Sequence, residues 1–307
     1  MAFIQGHSPL NIDAHTMLFG IFGHPVGHSL SPSMHNAAFR HLNINAVYLA
    51  FDVMNLHEAI TGVRALNIQG LSITIPYKEA VMPFLDEIDS DARAIGAVNT
   101  VVNRDGRLLG FNTDCIGARR ALNEALRPEK KDFMVMHGQS IQTMQVGMNH
   151  ATPLLSGKSA VVLGAGGSAR AVAFGLKSAG MSVHIANRTV EKAKKLSDVV
   201  GGTFSNLHDV CNITADVLVN TTSVGMAPNA DEMPIAADCL GNFAVVMDIV
   251  YSPLETALLR EARRVGCLTV NGLRMLLHQA VCQFELWTGL AAPEDVMEQV
   301  LNAMVNG

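Results

Sequence analysis

The chain has little charge and lacks the signatures of several common protein classes. Asp, Glu, Lys and Arg make up only 16% of its 307 residues, against 49% hydrophobic, so it has ample material for buried cores and is no disordered chain. Basic residues are in no excess, and a net charge of −5 gives no reason to expect nucleic acid as a partner. No uncharged apolar run approaches the roughly 18 residues a membrane helix needs. The first sixteen residues lack the apolar core and basic start of a secretory signal. The cysteines Cys115, Cys211, Cys239, Cys267 and Cys282 contain no C-x-x-C pair and read as free thiols in a reducing compartment. A soluble, cytoplasmic protein is expected. The histidines lack zinc-ligand spacing with cysteine, so no metal site is expected either.

What is present begins with Ser159-Ala-Val-Val-Leu-Gly-Ala-Gly-Gly-Ser-Ala-Arg170. An apolar strand runs into Gly164, Ala165, Gly166, Gly167 and Ser168, a helical pattern follows, and Val183 to Ala186 forms a second strand. This is G-x-G-x-x-A in its dinucleotide-binding context. Gly164 permits the tight turn, Gly166 lets backbone approach a pyrophosphate, and Ala169 lets helix and strand pack closely. The second strand ends in Asn187-Arg188-Thr189, with Lys192 one turn on, where a NAD site usually carries Asp or Glu. A carboxylate would repel a 2′-phosphate and a guanidinium would pair with it, so the expected cofactor is NADP.

Upstream, Leu18 to Phe22, Ala46 to Phe51 and Gly70 to Ile75 read as strands separated by helices from about Ser31 and Leu56. Ser31 followed by Pro32 is a helix-start signal. Ser29 and Ser31 read either as a loop hydroxyl and a cap or as holders of a carboxylate. Lys78 lies just past the strand that Pro76 ends, either a solvated lysine or a ligand-facing one. Asp105-Gly106 marks a hairpin whose arms carry Asn99 and Asp114, and Asp114 by itself reads as a helix cap. Strands at 215–220, 244–249 and 267–270, with helices at 189–199 and 254–264, continue the doubly wound alternation. Helices at 273–287 and 293–305 close the chain.

The ordered set Ser29-Leu-Ser-Pro, Thr74-Ile-Pro-Tyr-Lys78, Ala97-Val-Asn-Thr100, Asn112-Thr-Asp114 and Gly164-Ala-Gly-Gly resembles the shikimate dehydrogenase family. Asn187-Arg-Thr, Asp248-Ile-Val-Tyr-Ser-Pro-Leu254 and Gly272 to Gln279 extend the resemblance to the chain's end. It implies an α/β protein with two parts. Residues 1–118 with 273–307 would form a mixed-sheet substrate domain, and 119–272 a Rossmann-type, doubly wound NADP-binding domain. The implied reaction is reversible, NADPH-dependent reduction of 3-dehydroshikimate to shikimate, in chorismate and aromatic amino acid biosynthesis. Lys78 and Asp114 would be the catalytic pair, with Lys78 the acid/base. Ser29, Ser31, Thr74, Asn99, Asp114, Gln279 and, near the carboxylate, Tyr251 would hold the substrate. Ile249 and Gly272 would line the nicotinamide, and a homodimer is a family-level expectation.

Three departures bear on this. Ser72 stands where many relatives carry asparagine, and Cys115 follows Asp114 where glycine is common. Both leave a quinate/shikimate dehydrogenase open, and a catalytically silent NADP-binding regulator is the reading from another class. The uncharged, methionine-containing segment 133–156 reads as an insertion at the domain junction, either a surface excursion or a lid or subunit contact.

Overall fold

Short β-branched runs separated by helical patterns build two sheets in the computed structural model, which describes residues 12–127 and 154–305. Packing divides the chain into two units, Met1–Gly117 with Leu273–Gly307, and Ala118–Gly272.

The first unit alternates strand and helix: β1 (Met17–Gly23), α1 (Ser31–His41), β2 (Ala46–Asp52), α2 (Leu56–Ala65) and β3 (Gly70–Ile73). A short β4 (Glu87–Ile88) and α3 (Ser90–Ile95) lead to the hairpin of β5 (Thr100–Arg104) and β6 (Arg107–Phe111). β1 pairs in parallel with β2 and β3, whereas β5 is antiparallel to both β3 and β6. The sheet, ordered β2-β1-β3-β5-β6-β4, is therefore mixed, as expected. The hairpin turns on Asp105 and Gly106, both at positive φ (53° and 86°), the conformation that matches strand twist in a two-residue loop. Leu71, Ile73, Val98, Val101 and Leu108 fill the core beneath.

After α4 (Asp114–Leu126) comes the second sheet: β7 (Ser159–Leu163), α5 (Gly167–Ser178), β8 (Ser182–Asn187), α6 (Val190–Val200) and β9 (Thr203–Asn206). β10 (Ala215–Asn220), β11 (Phe243–Asp248), α7 (Ala257–Arg264) and β12 (Leu268–Val270) complete it. Its order, β12-β11-β10-β7-β8-β9, is wholly parallel and reverses direction between β7 and β10. That is the doubly wound nucleotide-binding topology. Val161, Val162 and Leu163 are each at most 1% exposed, because parallel strands covered by helices on both faces read as continuous apolar runs. Helices α8 (Gly272–Thr288) and α9 (Glu294–Val305) end the chain.

Several expectations are corrected. Helix α1 begins at Ser31 itself, with Leu30 at the N-cap and no side-chain cap, so Ser31 is not the capping residue. Helix α7 starts at Ala257 rather than 254, because the Thr256 hydroxyl accepts the Leu259 N–H and fixes the start there. The cysteines do not all remain thiols. Two 3₁₀ turns, Leu207–Asn212 and Ala237–Asn242, bring Cys211 and Cys239 to a Cα separation of 4.6 Å, and they form a disulfide. Residues 28 apart carry no pairing signature in sequence, so cysteine spacing does not support a reducing compartment. Cys115, Cys267 and Cys282 are buried thiols. The 133–156 segment lies outside the described residues except for 154–156. No helix among the described residues is long and apolar enough to cross a membrane.

Candidate active site

The site in the first unit is built past the end of β3, at the ends of the β5–β6 hairpin, at the start of α4 and along α8. Past β3, the Val98 N–H donates to the Lys78 carbonyl at 2.7 Å, which ties the lysine backbone to the approach of β5. Its ammonium reaches Asp114 Oδ2 at 2.6 Å, with the two side chains 14% and 8% exposed. Asp114 does not cap its helix. It is the first helical residue, its N–H donates to Asn112 Oδ1 at 3.1 Å, and both its carboxylate oxygens face other groups.

Asn99 occupies the other oxygen. Its Nδ2 donates to Asp114 Oδ1 at 2.8 Å and to Thr113 Oγ1 at 3.0 Å, while its Oδ1 accepts from the Thr113 N–H at 2.7 Å. Gln279 on α8 presents Oε1 at 3.4 Å from Asn99 Nδ2. Gly117 lets α8 come this close, since a Cβ there would stand 2.8 Å from the Met275 carbonyl and 3.1 Å from Gln279 Cβ. Lys78, Asn99, Asp114 and Gln279 thus form one network. Ser29 and Ser31 sit together on the turn into α1, where Ser29 Oγ accepts the Ser31 N–H at 3.3 Å. Thr74 follows β3, half-buried, its N–H on the Phe22 carbonyl. Ser72 and Cys115 both turn inward, Ser72 to Tyr48 and Gln283, and Cys115 to the Asn112 carbonyl.

In the second unit, Gly164 adopts φ +113°, and a Cβ there would meet Thr221 Oγ1 at 2.7 Å, so the turn accepts glycine alone without strain. Gly166, the N-cap of α5, has open space where a side chain would be. Ala165 precedes it, and Gly167 and Ser168 form the first turn of α5. Asn187 ends β8 and donates to the Thr189 carbonyl at 3.0 Å, Thr189 is the N-cap of α6, and Arg188 and Lys192 are exposed beside it. Ile249 follows β11, and Gly272 packs so closely on it that a Cβ would stand 2.4 Å from the Ile249 carbonyl oxygen. Tyr251 lies two residues further on, its phenol pushed up by burial.

Sequence reasoning missed four residues. Thr113 lies inside the Asn112-Thr-Asp114 motif, and Thr100 donates to Asn99 Oδ1 at 2.7 Å. Gln283 lies one turn beyond Gln279, and that i+4 spacing was the available signal. Asp248 is fully buried and accepts from Asn220 Nδ2, the Val250 N–H and Thr256 Oγ1. With no cation among these partners, burial pushes its carboxyl up to about 6.

Comparison with known proteins gives a consistent result. Residues 21–101 match the shikimate dehydrogenase substrate binding domain, 148–248 the shikimate / quinate 5-dehydrogenase domain, and 272–301 the shikimate 5'-dehydrogenase C-terminal domain. The shikimate dehydrogenase (NADP(+)) of Thermococcus kodakarensis is 47% identical over 93% of this chain and 96% of its own. A bifunctional 3-dehydroquinate dehydratase/shikimate dehydrogenase of Arabidopsis thaliana is 44% identical, and this chain spans 46% of its length. Among solved structures, Thermus thermophilus shikimate 5-dehydrogenase in complex with NADP(H) and shikimate superposes with a TM-score of 0.80 at 36% identity, covering 94% of this chain and 99% of its own. A shikimate dehydrogenase in complex with NADP+ gives 0.83 at 42% identity, covering 97% and 99%.

Proposed function

The chain belongs to the shikimate dehydrogenase family, and on that premise we propose that it catalyses the reversible, NADPH-dependent reduction of 3-dehydroshikimate to shikimate. The observation that carries the reading is the Lys78–Asp114 pair, buried together and held by Asn99. A residue pair kept only for a regulator would not need a lysine ammonium and a carboxylate brought to 2.6 Å beneath two amide side chains.

NADP fits the residues present. Gly166 is open to a close-approaching group, Gly164 makes the turn, and the start of α5 faces it with the positive end of its dipole. Arg188, Thr189 and Lys192 would hold the adenosine 2′-phosphate, and no carboxylate stands at 187–190 to repel it. Ile249 and Gly272 would flank the nicotinamide, which when bound supplies or accepts the hydride.

The chain's own groups handle the proton. Lys78 Nζ gives a proton to the carbonyl oxygen as reduction proceeds, and takes it back from the hydroxyl in the reverse direction. Asp114 orients the amine and compensates its charge, and accepts from a neighbouring ring hydroxyl. Ser29 and Ser31 hold the substrate carboxylate. Thr74, Asn99 and Gln279 read ring hydroxyls. Such a set of buried amides and hydroxyls rejects analogues that lack a partner group. A quinate/shikimate dehydrogenase is the second reading, carried by Ser72, which bonds Tyr48 and Gln283, and by Cys115, which bonds the Asn112 carbonyl. A homodimer and a cytoplasmic location are what family membership leads us to expect. Initial rates with shikimate and quinate against NADP and NAD, followed by NADPH absorbance, test the reading. The expected outcome is preference for shikimate and NADP, and no reduction of either cofactor would overturn it.

A further inference from the structure

Behind Asn99 runs a buried file of polar groups that no step above uses. Gln283, 1% exposed on α8, donates from Nε2 to the Asn99 backbone carbonyl at 3.2 Å and to Thr100 Oγ1 at 3.0 Å. Its Oε1 accepts from Ser72 Oγ at 2.9 Å, and Ser72 Oγ accepts from the Tyr48 hydroxyl at 2.6 Å. Thr100 in turn donates to Asn99 Oδ1 at 2.7 Å.

The direction of every bond in this file is fixed. A backbone carbonyl can only accept, so the Gln283 atom on the Asn99 carbonyl is the amide nitrogen, and the atom on Ser72 is the oxygen. Ser72 must then donate to Gln283, and Tyr48 must donate to Ser72. Thr100 receives from Gln283 and passes its own proton to Asn99. At the far end the Thr113 backbone N–H, which can only donate, also requires the Asn99 oxygen on that side. The Asn99 amide nitrogen is thereby forced toward Asp114 Oδ1. Tyr48 is suited to lead the file: burial raises its phenol, so it keeps the proton that it donates to Ser72. It is stacked 4.6 Å from the ring of His35, which burial lowers to about 3 and keeps neutral.

We propose that Tyr48, Ser72, Gln283 and Thr100 are positioning residues for the reaction, a polarised hydrogen-bond file that sets the Asn99 amide and through it the Asp114–Lys78 pair. None of the four need touch substrate. The role of Asp114 in turnover is taken from the reading above, so that reading and the file must fail separately.

Thr100→Val and Thr100→Ser are the informative variants. Valine keeps the shape and removes the hydroxyl, whereas serine restores the donor and acceptor. Three measurements are made: kcat and its pH profile with shikimate and NADP, the Kd of NADP as a check on folding, and the side-chain 15N–1H resonances of Asn99. Thr100→Val is expected to lower kcat about 10-fold or more and move the pH profile while leaving the NADP Kd within about 2-fold. It should also shift the two Asn99 amide protons toward free-amide positions and speed their exchange with water, and Thr100→Ser should recover all of these. Tyr48→Phe, at the remote end, should give a smaller change of the same kind. Unchanged Asn99 resonances in Thr100→Val overturn the file, whatever the wild-type enzyme turns over. Wild-type protein inactive toward shikimate, with Asn99 responding as stated, overturns the functional reading and leaves the file standing.

Discussion

Lys78 Nζ and Asp114 Oδ2 stand 2.6 Å apart although their residues are 36 positions apart in the chain. The lysine is delivered by the loop after β3 and the aspartate by the first residue of α4. The lysine backbone is bonded to Val98 and the aspartate backbone to Asn112, so the pair is pre-arranged.

Removing either member should therefore cost rate more than affinity. Lys78→Met and Asp114→Asn are each expected to lower kcat by about 10²–10⁴-fold with KM for NADP little changed. Steady-state kinetics check this, and a near-normal kcat in Lys78→Met would remove the lysine from the proton step.

Cofactor choice should rest on the end of β8. Arg188→Asp places a carboxylate where the 2′-phosphate is expected, so KM for NADP should rise far more than KM for NAD. Parallel kinetics with the two cofactors measure the ratio, and an unchanged preference contradicts the assignment.

The two glycines of the turn should behave differently. At Gly164 a Cβ meets Thr221 at 2.7 Å and the backbone is at φ +113°, so Gly164→Ala should cost roughly 1–3 kcal/mol in urea denaturation. At Gly166 the space is open, so Gly166→Ala should leave stability nearly unchanged while weakening NADP binding. Equal losses of stability at both positions would contradict the division of roles.

Asp248 should leave a mark on the pH dependence of stability. Its carboxyl is raised from 3.8 to about 6, so between these values the folded state binds more protons than the unfolded state. Stability from this group is then highest below about pH 4 and falls as pH rises through 6, by on the order of 3 kcal/mol. In Asp248→Asn, Tm plotted against pH from 4 to 7 should lack that downward component, whatever the change in Tm itself. An identical slope in wild type and variant would show that Asp248 does not titrate in this range.

Much of this was legible in the chain. Periodicity of 2 and 3.6 placed most strands and helices, because burial on one or two faces dictates which positions are apolar. Asp105-Gly106 announced its hairpin because few residue pairs tolerate two positive φ angles. The glycine turn and Asn187-Arg188-Thr189 pointed to NADP because backbone approach and a 2′-phosphate restrict residue choice locally. Lys78 and Asp114 could be singled out individually by their places after a strand and before a helix. Their companionship came only from family resemblance.

Only the tertiary structure decided the rest. A disulfide between Cys211 and Cys239 depends on two 3₁₀ turns meeting, which spacing cannot encode. Asp114 opens α4 with its N–H on Asn112, and its carboxylate meets Lys78 and Asn99 instead of a helix backbone. The file from Tyr48 to Asn99 joins β2, β3, β5 and α8, and Gln283 lies 184 positions from the carbonyl it bonds. Local sequence fixes what a residue can donate or accept. Which partner it meets is set by the packing of distant elements, and in a buried site that partner determines what the residue does.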